Sequence, residues 1–471
     1  MFFQRIYDQT LAQASYLIGC QKTGESIVID PKRDVDTYLE LANQHGLRIT
    51  HITETHIHAD FLAGSRELAA ITGATLYLSN EGGPDWQYEF THVGLRHGDV
   101  FGVGNLNLKV LHTPGHTPES LSFLLTDKPA TSEPVMLFTG DFVFVGDVGR
   151  PDLLEKAAGL VGTQELGARQ LYQSLDTFRR LPNFVQVWPG HGAGSACGKA
   201  LGAVPSSTVG YEKIRNWAFH YEHDPEGFAQ VLLADQPEPP RYFAQMKKLN
   251  KIERPLLTQV PIHKKLSTPQ VREALSRGIP LIDTRSKDLF AQGFVPGSLN
   301  IQGTTSFSTW MGWLMDYDKP FMLVADESQM EDLTRKLMRI GLDSLYGFTD
   351  SITNLGINLA KSDLIDTETV DAYVGRDEWQ LIDLRGAAEY KRGHLPGAQN
   401  IFVGTLAQNL DKISKNKRVV VYCQGGDRAT IGYSLLIAQG FTHVQNYSGS
   451  LNAWINQGHP MVSEELEPVI D

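Results

Sequence analysis

Thr55-His56-Ile57-His58-Ala59-Asp60-Phe61 places two imidazoles two residues apart and a carboxylate two further on. The preceding run, Leu47 to Thr53, is apolar and strand-like, so the heptapeptide falls on the loop at a strand end. Three more metal-capable pieces follow. They are His116 in His112-Thr-Pro-Gly-His116, Asp141 in Phe138-Thr-Gly-Asp141, and His191 in Trp188-Pro-Gly-His191. The runs Leu106–His112, Leu121–Leu125 and Val135–Phe138 are strand-like, and helical spacing is found over 35–45, 61–71 and 163–181. All four clusters therefore sit at strand ends or on the loops after them, where a rigid scaffold presents functional side chains. Imidazole and carboxylate donors suit zinc, iron or manganese. His112 reads as a strand-end residue rather than a ligand.

Outward from these motifs, 471 residues are too many for one core and suggest about three domains. A net charge of −12 without a basic stripe argues against nucleic acid and anionic membranes as partners. The chain has no apolar run of the ~18 residues a membrane span needs, and its start lacks the pattern of a signal peptide. Three scattered cysteines, Cys20, Cys197 and Cys423, cannot form a disulfide framework. A reducing cytoplasm is the expected location.

Gln236-Pro-Glu-Pro-Pro240 breaks the first mixed α/β region. Beyond a linker near Pro255 to Pro261 the chain repeats itself. Leu281-Ile-Asp-Thr-Arg285 corresponds to Leu381-Ile-Asp-Leu-Arg385, and Phe294-Val-Pro-Gly297 to His394-Leu-Pro-Gly397. Each copy alternates helix and strand, which predicts a parallel sheet. The expected domains are 1–255, 266–362 and 363–471.

The copies differ in one loop. The second has Cys423-Gln424-Gly425-Gly426-Asp427-Arg428 between a strand and a helix; the first has Ala325 or Asp326 where the cysteine should stand, without glycine or arginine. Converging backbone N–H groups, the helix dipole and Arg428 would favour an anionic sulfur at Cys423. Gly425 and Gly426 permit the positive φ of a tight cradle.

With Asp383-Leu-Arg385, Gly393-His-Leu-Pro-Gly397 and this cysteine loop, residues 367–465 resemble a rhodanese-type sulfurtransferase domain. The resemblance implies Cys423 as nucleophile, 424–428 as a persulfide-binding loop, and Asp383 and Arg385 as buttresses. Residues 266–362 resemble the same fold with its active site lost. Residues 1 to about 255 resemble the metallo-β-lactamase superfamily, on the ordered set Thr-His-x-His-x-Asp, Gly-His, Gly-Asp and a late Gly-His. The implied architecture is an αββα sandwich followed by two α/β rhodanese domains with parallel sheets.

The superfamily's first motif usually continues with a histidine that helps hold a second metal, and Phe61 cannot ligate. A single-metal site is therefore expected, similar to that of the persulfide dioxygenases. That resemblance implies one Fe(II) held by His56, His116 and Asp141, although zinc could be present as prepared. His58 and Asp60 would orient the ligands, and His191 would line the pocket. Arg150 would contact a substrate carboxylate or pair with Asp152. Cys197 is a second reactive thiol or a small buried residue.

The expected activity joins both halves. Iron-dependent oxidation of a low-molecular-weight thiol persulfide by O2 gives thiol and sulfite, and sulfur transfer through Cys423 forms or uses thiosulfate. A homo-oligomer, dimer or tetramer, is expected. The rival enzyme is a zinc-dependent, glyoxalase II-like thioester hydrolase fused to a sulfurtransferase; a non-enzymatic rival is a persulfide sensor or carrier.

Overall fold

Strand β2 (Gln13–Cys20) is buried at every position, as a strand covered on both faces must be. It pairs antiparallel with β1 (Phe2–Asp8) and β3 (Glu25–Ile29). Then β4 (Arg48–Thr53), β5 (Thr75–Ser79) and β6 (Val93–Leu95) continue in parallel, completing a six-stranded sheet. A second sheet has the order β12-β11-β10-β9-β8-β7. Its strands are β7 (Val100–Val103), β8 (Leu106–His112), β9 (Leu121–Asp127), β10 (Met136–Gly140), β11 (Gln186–Pro189) and β12 (Ser207–Thr208). In this computed structural model, residues 1–153, 155, 162–199 and 201–464 are described. The end of the expected 363–471 domain, residues 465–471, lies outside them.

The inner faces of the two sheets meet in a core of Tyr16, Ile18, Ile27, Leu108, Val110, Phe123 and Phe138. The outer face of the first sheet packs under helices Asp36–Gln44 and Ser65–Thr72, through Tyr38, Ala42 and Leu68. The long helix Thr163–Arg179 covers the second sheet with Ala168, Leu171, Leu175 and Phe178. The layers are thus αββα. Burying these apolar faces from both sides is what commits alternating and continuous hydrophobic runs to one sandwich.

One helix differs from its expected span. Apolar spacing predicts it over 61–71, but it begins at Ser65. The preceding backbone is already committed: Ala63 N donates to Asn250 Oδ1 (2.8 Å), Gly64 N to Pro31 O (2.8 Å), and Asn250 Nδ2 holds the Phe61 carbonyl (2.8 Å). Those bonds replace the first helical turn.

The chain forms two compact units, Met1–Pro261 with Arg335–Gly341, and Ile262–Thr334 with Leu342–Asp471. The second contains two parallel four-stranded sheets of the same order. One is β14-β13-β15-β16, from β13 (Leu281–Asp283), β14 (Leu299–Asn300), β15 (Phe321–Val324) and β16 (Leu345–Thr349). The other is β18-β17-β19-β20, from β17 (Trp379–Asp383), β18 (Gln399–Asn400), β19 (Arg418–Tyr422) and β20 (Val444–Asn446). Each repeats one buttress. Arg285 forks onto Asp283 and the Gly293 carbonyl as Arg385 forks onto Asp383 and the Gly393 carbonyl.

The two copies share a core. Phe290 and Phe294 of the first lie in one cluster with Ile382, Leu384, Ile401, Val421 and Ile431 of the second. Strand register also settles which residue replaces the cysteine. Asp283 pairs with Val324 and Asp383 with Tyr422, so Ala325 is the counterpart of Cys423 and Asp326 is not.

Candidate functional site

His56, His116 and Asp141 converge at one edge of the sandwich, with donor atoms within 4.8 Å of one another. They follow β4 of the first sheet and β8 and β10 of the second, in which β9 lies between β8 and β10. All three side chains are buried. His116 Nε2 lies 3.5 Å and His56 Nε2 3.9 Å from Asp141 Oδ2. Two ligands each ~2.1 Å from one ion cannot be more than ~4.2 Å apart, so these spacings suit a shared ion.

Hydrogen bonds fix the tautomers. His116 Nδ1 faces the Arg150 carbonyl at 2.8 Å and must donate to it, leaving Nε2 with a lone pair. The Thr55 hydroxyl donates to Asp30 Oδ2 (2.9 Å), so it accepts from His56 Nδ1 at 3.0 Å, and His56 Nε2 is likewise a lone-pair donor. Asp141 Oδ2 is buried and has no hydrogen-bond partner. A buried carboxylate oxygen without a partner is costly, and a cation would satisfy it. The residues present fit a metal.

Electrostatics agree with that fit. Burial pushes the Asp141 carboxyl up, but His191, His116 and His56 outweigh it and hold it well below the usual carboxylate range. Burial and the neighbouring His58 hold His56 well below an ordinary imidazole, and burial lowers His116. Ligand imidazoles must be neutral, and these environments favour that state.

His58 and Asp60 flank the triad. His58 Nε2 is 3.1 Å from Asp30 Oδ1, and its ring lies 4.2 Å from that of His56. The fully buried Phe61 ring packs 4.3 Å from His58. His191 bridges two carboxylates, with Nδ1 2.7 Å from Asp141 Oδ1 and Nε2 2.7 Å from Asp60 Oδ2. Its imidazolium is held well above the ordinary range: burial lowers it, and Asp141 and Asp60 more than compensate. Asp60, His191 and Cys197 form a second buried group of donor atoms within 4.8 Å of one another. Burial, Asp141 and Asp60 all raise the Cys197 thiol well above its ordinary value. His112 bonds the Pro118 carbonyl through Nε2 at 2.8 Å and is not among the converging donors.

Three residues that the motifs do not announce build this site. Asp30, at φ +51°, accepts from Thr55 N (2.6 Å), the Thr55 hydroxyl and His58. Glu119 accepts from Ile57 N at 2.7 Å; burial pushes its carboxyl up to about 7. Asn250 ties the His58 and Phe61 carbonyls to the Ala63 amide. Gly140, at φ +53°, is required too, because a Cβ there would lie 2.6 Å from that of Thr55. Asp30→Ala is expected to weaken metal affinity about 10–100-fold, the usual cost of losing an orienting partner. Competition against a chelator measures this, and unchanged affinity would remove the orienting role.

The second locus is Cys423, directly after β19 and 1% exposed. Gly426 N–H donates to its Sγ at 3.1 Å, and the Ser450 hydroxyl stands 3.8 Å away. Gly426 takes φ +101° and precedes helix Asp427–Ala438, whereas Gly425 does not use a positive φ. Only one of the two glycines therefore does what the cradle argument expects of both. Ser450, at φ +52°, accepts from Cys423 N at 3.1 Å. Arg428 forks onto Glu389 at 2.6 and 2.8 Å, so its charge is shared with a carboxylate rather than reserved for sulfur. Gln424 accepts from Arg385 at 3.3 Å and donates to Asn452 at 2.6 Å, while Asp427 is exposed.

Residues 9–191 match the model of the metallo-beta-lactamase superfamily, and residues 366–457 that of the rhodanese-like domain. A hydroxyacylglutathione hydrolase of Polaromonas sp. is 30% identical over 239 residues, spanning 48% of this chain and 78% of that protein. A solved metallo-beta-lactamase from Staphylococcus aureus subsp. aureus COL is 46% identical, with a TM-score of 0.69. The match covers 74% of this chain and 98% of that one. The chain belongs to the metallo-beta-lactamase superfamily. A probable polyketide biosynthesis zinc-dependent hydrolase of Bacillus velezensis is 23% identical over 210 residues, spanning 44% of this chain and 85% of that protein.

In the metallo-beta-lactamase domain, of the two readings of Arg150 the structure shows the ion pair. Its guanidinium is fully buried and forks onto Asp152 at 2.6 and 2.7 Å. A cavity of about 860 Å3 is lined by Gly115 and Pro118 of the loop that carries His116, and by Trp86, Asp85, Glu89, Lys247, Lys248 and Lys251; His56, His116 and Asp141 do not line it. Lys247 Nζ lies 3.8 Å from the Trp86 ring centroid. Among the described residues no helix is long and apolar enough to cross a membrane.

Proposed function

We propose that this metallo-beta-lactamase–rhodanese fusion is a persulfide dioxygenase and thiosulfate sulfurtransferase, with functional segments 1–255, 266–362 and 363–471. The observation that carries the proposal is the set His56, His116 and Asp141. Two neutral imidazoles and one unpartnered carboxylate oxygen face a common point, and Phe61 stands where the superfamily usually has another histidine. Two histidines and a carboxylate with open positions are the arrangement of non-haem iron oxygenases.

Bound Fe(II) would supply O2 activation; the chain's residues supply the rest. His56, His116 and Asp141 would hold the ion, while Asp30, through Thr55, keeps the His56 lone pair aimed. Lys247, Lys248 and Lys251 outnumber Asp85 and Glu89 in the lining and would receive the carboxylates of a low-molecular-weight thiol carrier, and Trp86 gives the cavity an apolar wall. The net reaction there consumes persulfide, O2 and water and yields thiol, sulfite and two protons. At the rhodanese domain, sulfite attacks the outer sulfur of a Cys423 persulfide. The S–S bond breaks, thiosulfate leaves, and the electron pair stays on Cys423 as thiolate. Gly426 N–H stabilises that charge. The reverse step lets thiosulfate recharge the cysteine. The partners proposed are small molecules only, in a reducing cytoplasm, with a homo-oligomeric enzyme.

A second reading is a zinc-dependent thioester hydrolase joined to a sulfurtransferase, favoured by the likeness to a hydroxyacylglutathione hydrolase. One experiment separates the two. Enzyme loaded anaerobically with iron is given glutathione persulfide, and O2 uptake is followed with sulfite formation. Uptake of one O2 per persulfide is expected. No uptake by an iron-loaded sample, with cleavage of S-lactoylglutathione instead, would replace the dioxygenase by the hydrolase.

A further inference from the structure

We infer that Lys287, carried by the copy that lacks a cysteine, is a positioning residue for the persulfide loop of the other copy. The inference rests on the sulfurtransferase reading of Cys423. Lys287 Nζ donates to the Gly425 carbonyl oxygen and lies 3.3 Å from Asp427 Oδ1. The Gly425 carbonyl and the Gly426 N–H belong to one planar trans peptide and point in opposite directions. That N–H is the one that donates to Cys423 Sγ at 3.1 Å. Holding the oxygen from outside therefore aims the hydrogen at the sulfur inside.

The peptide needs an outside anchor because it joins two glycines. Neither residue has a Cβ to restrict rotation of the plane, and Gly426 already sits at φ +101°. A cation on the carbonyl also polarises the amide and strengthens its N–H as a donor to an anionic sulfur. Lys287 is itself well placed to act as a fixed point. It opens helix Lys287–Gln292, whose cap is the Ser286 hydroxyl accepting from Leu289 N. Phe290 on that helix is fully buried in the core the two copies share. A second tie holds the copies nearby: Asn300 N donates to Ser434 Oγ on the helix that follows the loop, at 3.0 Å.

The sequence supports a division of labour between copies. At the 100-residue offset, the counterpart of Lys287 is Ala387, and the counterpart of Cys423 is Ala325. Each copy holds a piece of the site that the other lacks. Of the other cations around the loop, Arg428 pairs with Glu389, and Arg385 pairs with Asp383 and reaches only the Gln424 side chain. Among the described residues, Lys287 is thus the cation that bonds the backbone of the loop itself.

The test is steady-state sulfur transfer from thiosulfate by the full chain, with Lys287→Met, Lys287→Gln and Lys287→Arg beside wild type. With Met, kcat is expected to fall about tenfold, the scale of one charge-assisted hydrogen bond, with KM for thiosulfate within about twofold. Arginine is expected to recover at least half of the wild-type kcat, with melting temperatures unchanged. If the methionine chain does not fold, glutamine is read by the same criteria. Wild-type kcat in the neutral variants would overturn the inference. So would a raised KM at constant kcat, because the lysine would then only attract the anion. An arginine variant no better than methionine would overturn it as well. Wild-type enzyme that transfers no sulfur at all would mean that the sulfurtransferase reading had failed, independently of Lys287.

Discussion

Cys423→Ser is expected to lower thiosulfate formation from persulfide and sulfite by about a thousandfold or more, while O2 uptake on added persulfide stays at the wild-type rate. The reason is chemical rather than structural. Sulfur transfer needs an atom that can take a sulfane sulfur, form an S–S bond and leave again as an anion. Serine offers a hydroxyl that does none of these at neutral pH. The change is close to isosteric, and the Gly426 N–H and Ser450 hydroxyl still meet an acceptor at that position. Melting should therefore move little. Thiosulfate and O2 are measured on the same sample. Loss of both activities would refute the assignment of the two half-reactions to separate sites.

Asp141→Asn should lower bound metal from one ion to below about a tenth of an ion per chain, and remove O2 uptake with it. The side chain loses its negative charge, and the amide must turn one N–H toward either His191 or the common point of the triad. Either choice is unfavourable. One sets a donor against the His191 Nδ1, now 2.7 Å from Asp141 Oδ1; the other fills the position of the unpartnered Oδ2 with a group that cannot ligate. The metal-free protein should also lose stability, because the His191 imidazolium keeps only Asp60. The folded Asp141 carboxyl is held far below its unfolded value, so the stability it supplies is present above the unfolded range. It is lost only as pH falls through the depressed folded value. Above the unfolded carboxylate range the destabilisation by asparagine should be constant until pH rises into the range where His191 loses its proton, and should shrink beyond it. Metal analysis and melting curves at several pH values check both parts; full metal occupancy in the variant would remove Asp141 from the ligand set.

Much of this was legible in the linear sequence because strand ends carry it. His56, His116, Asp141 and Cys423 each follow an apolar run; the loops after β4, β8 and β10 bring the first three together at one edge of the sandwich, and Cys423 follows β19. The supporting residues are not legible in the same way. Asp30 meets Thr55 across 25 residues, Glu119 meets Ile57 across 62, and Asn250 meets His58 across 192. No local pattern announces such bonds. Further long-range bonds, from Asn250 to Ala63 and Phe61 and from Gly64 to Pro31, explain why the helix after the motif starts at Ser65. Residue type alone left Arg150 open between two partners and gave the Arg428 charge to the sulfur; in the structure Arg150 pairs with Asp152, and Arg428 shares its charge with Glu389. The counterpart of Cys423 needed strand register, because a gap can be slid along a sequence but not along a hydrogen-bonded ladder.

The shared cluster of Phe290 and Phe294 with Ile382, Leu384 and Ile431 has a consequence for how the C-terminal region melts. A segment cut before residue 363 would keep its cysteine and its sheet but expose the apolar wall those two rings cover. The stretch that matches one rhodanese-like domain is then shorter than the stretch that unfolds as one body. The two copies should come apart in a single cooperative transition, so that the silent copy sets the temperature at which its partner stops working.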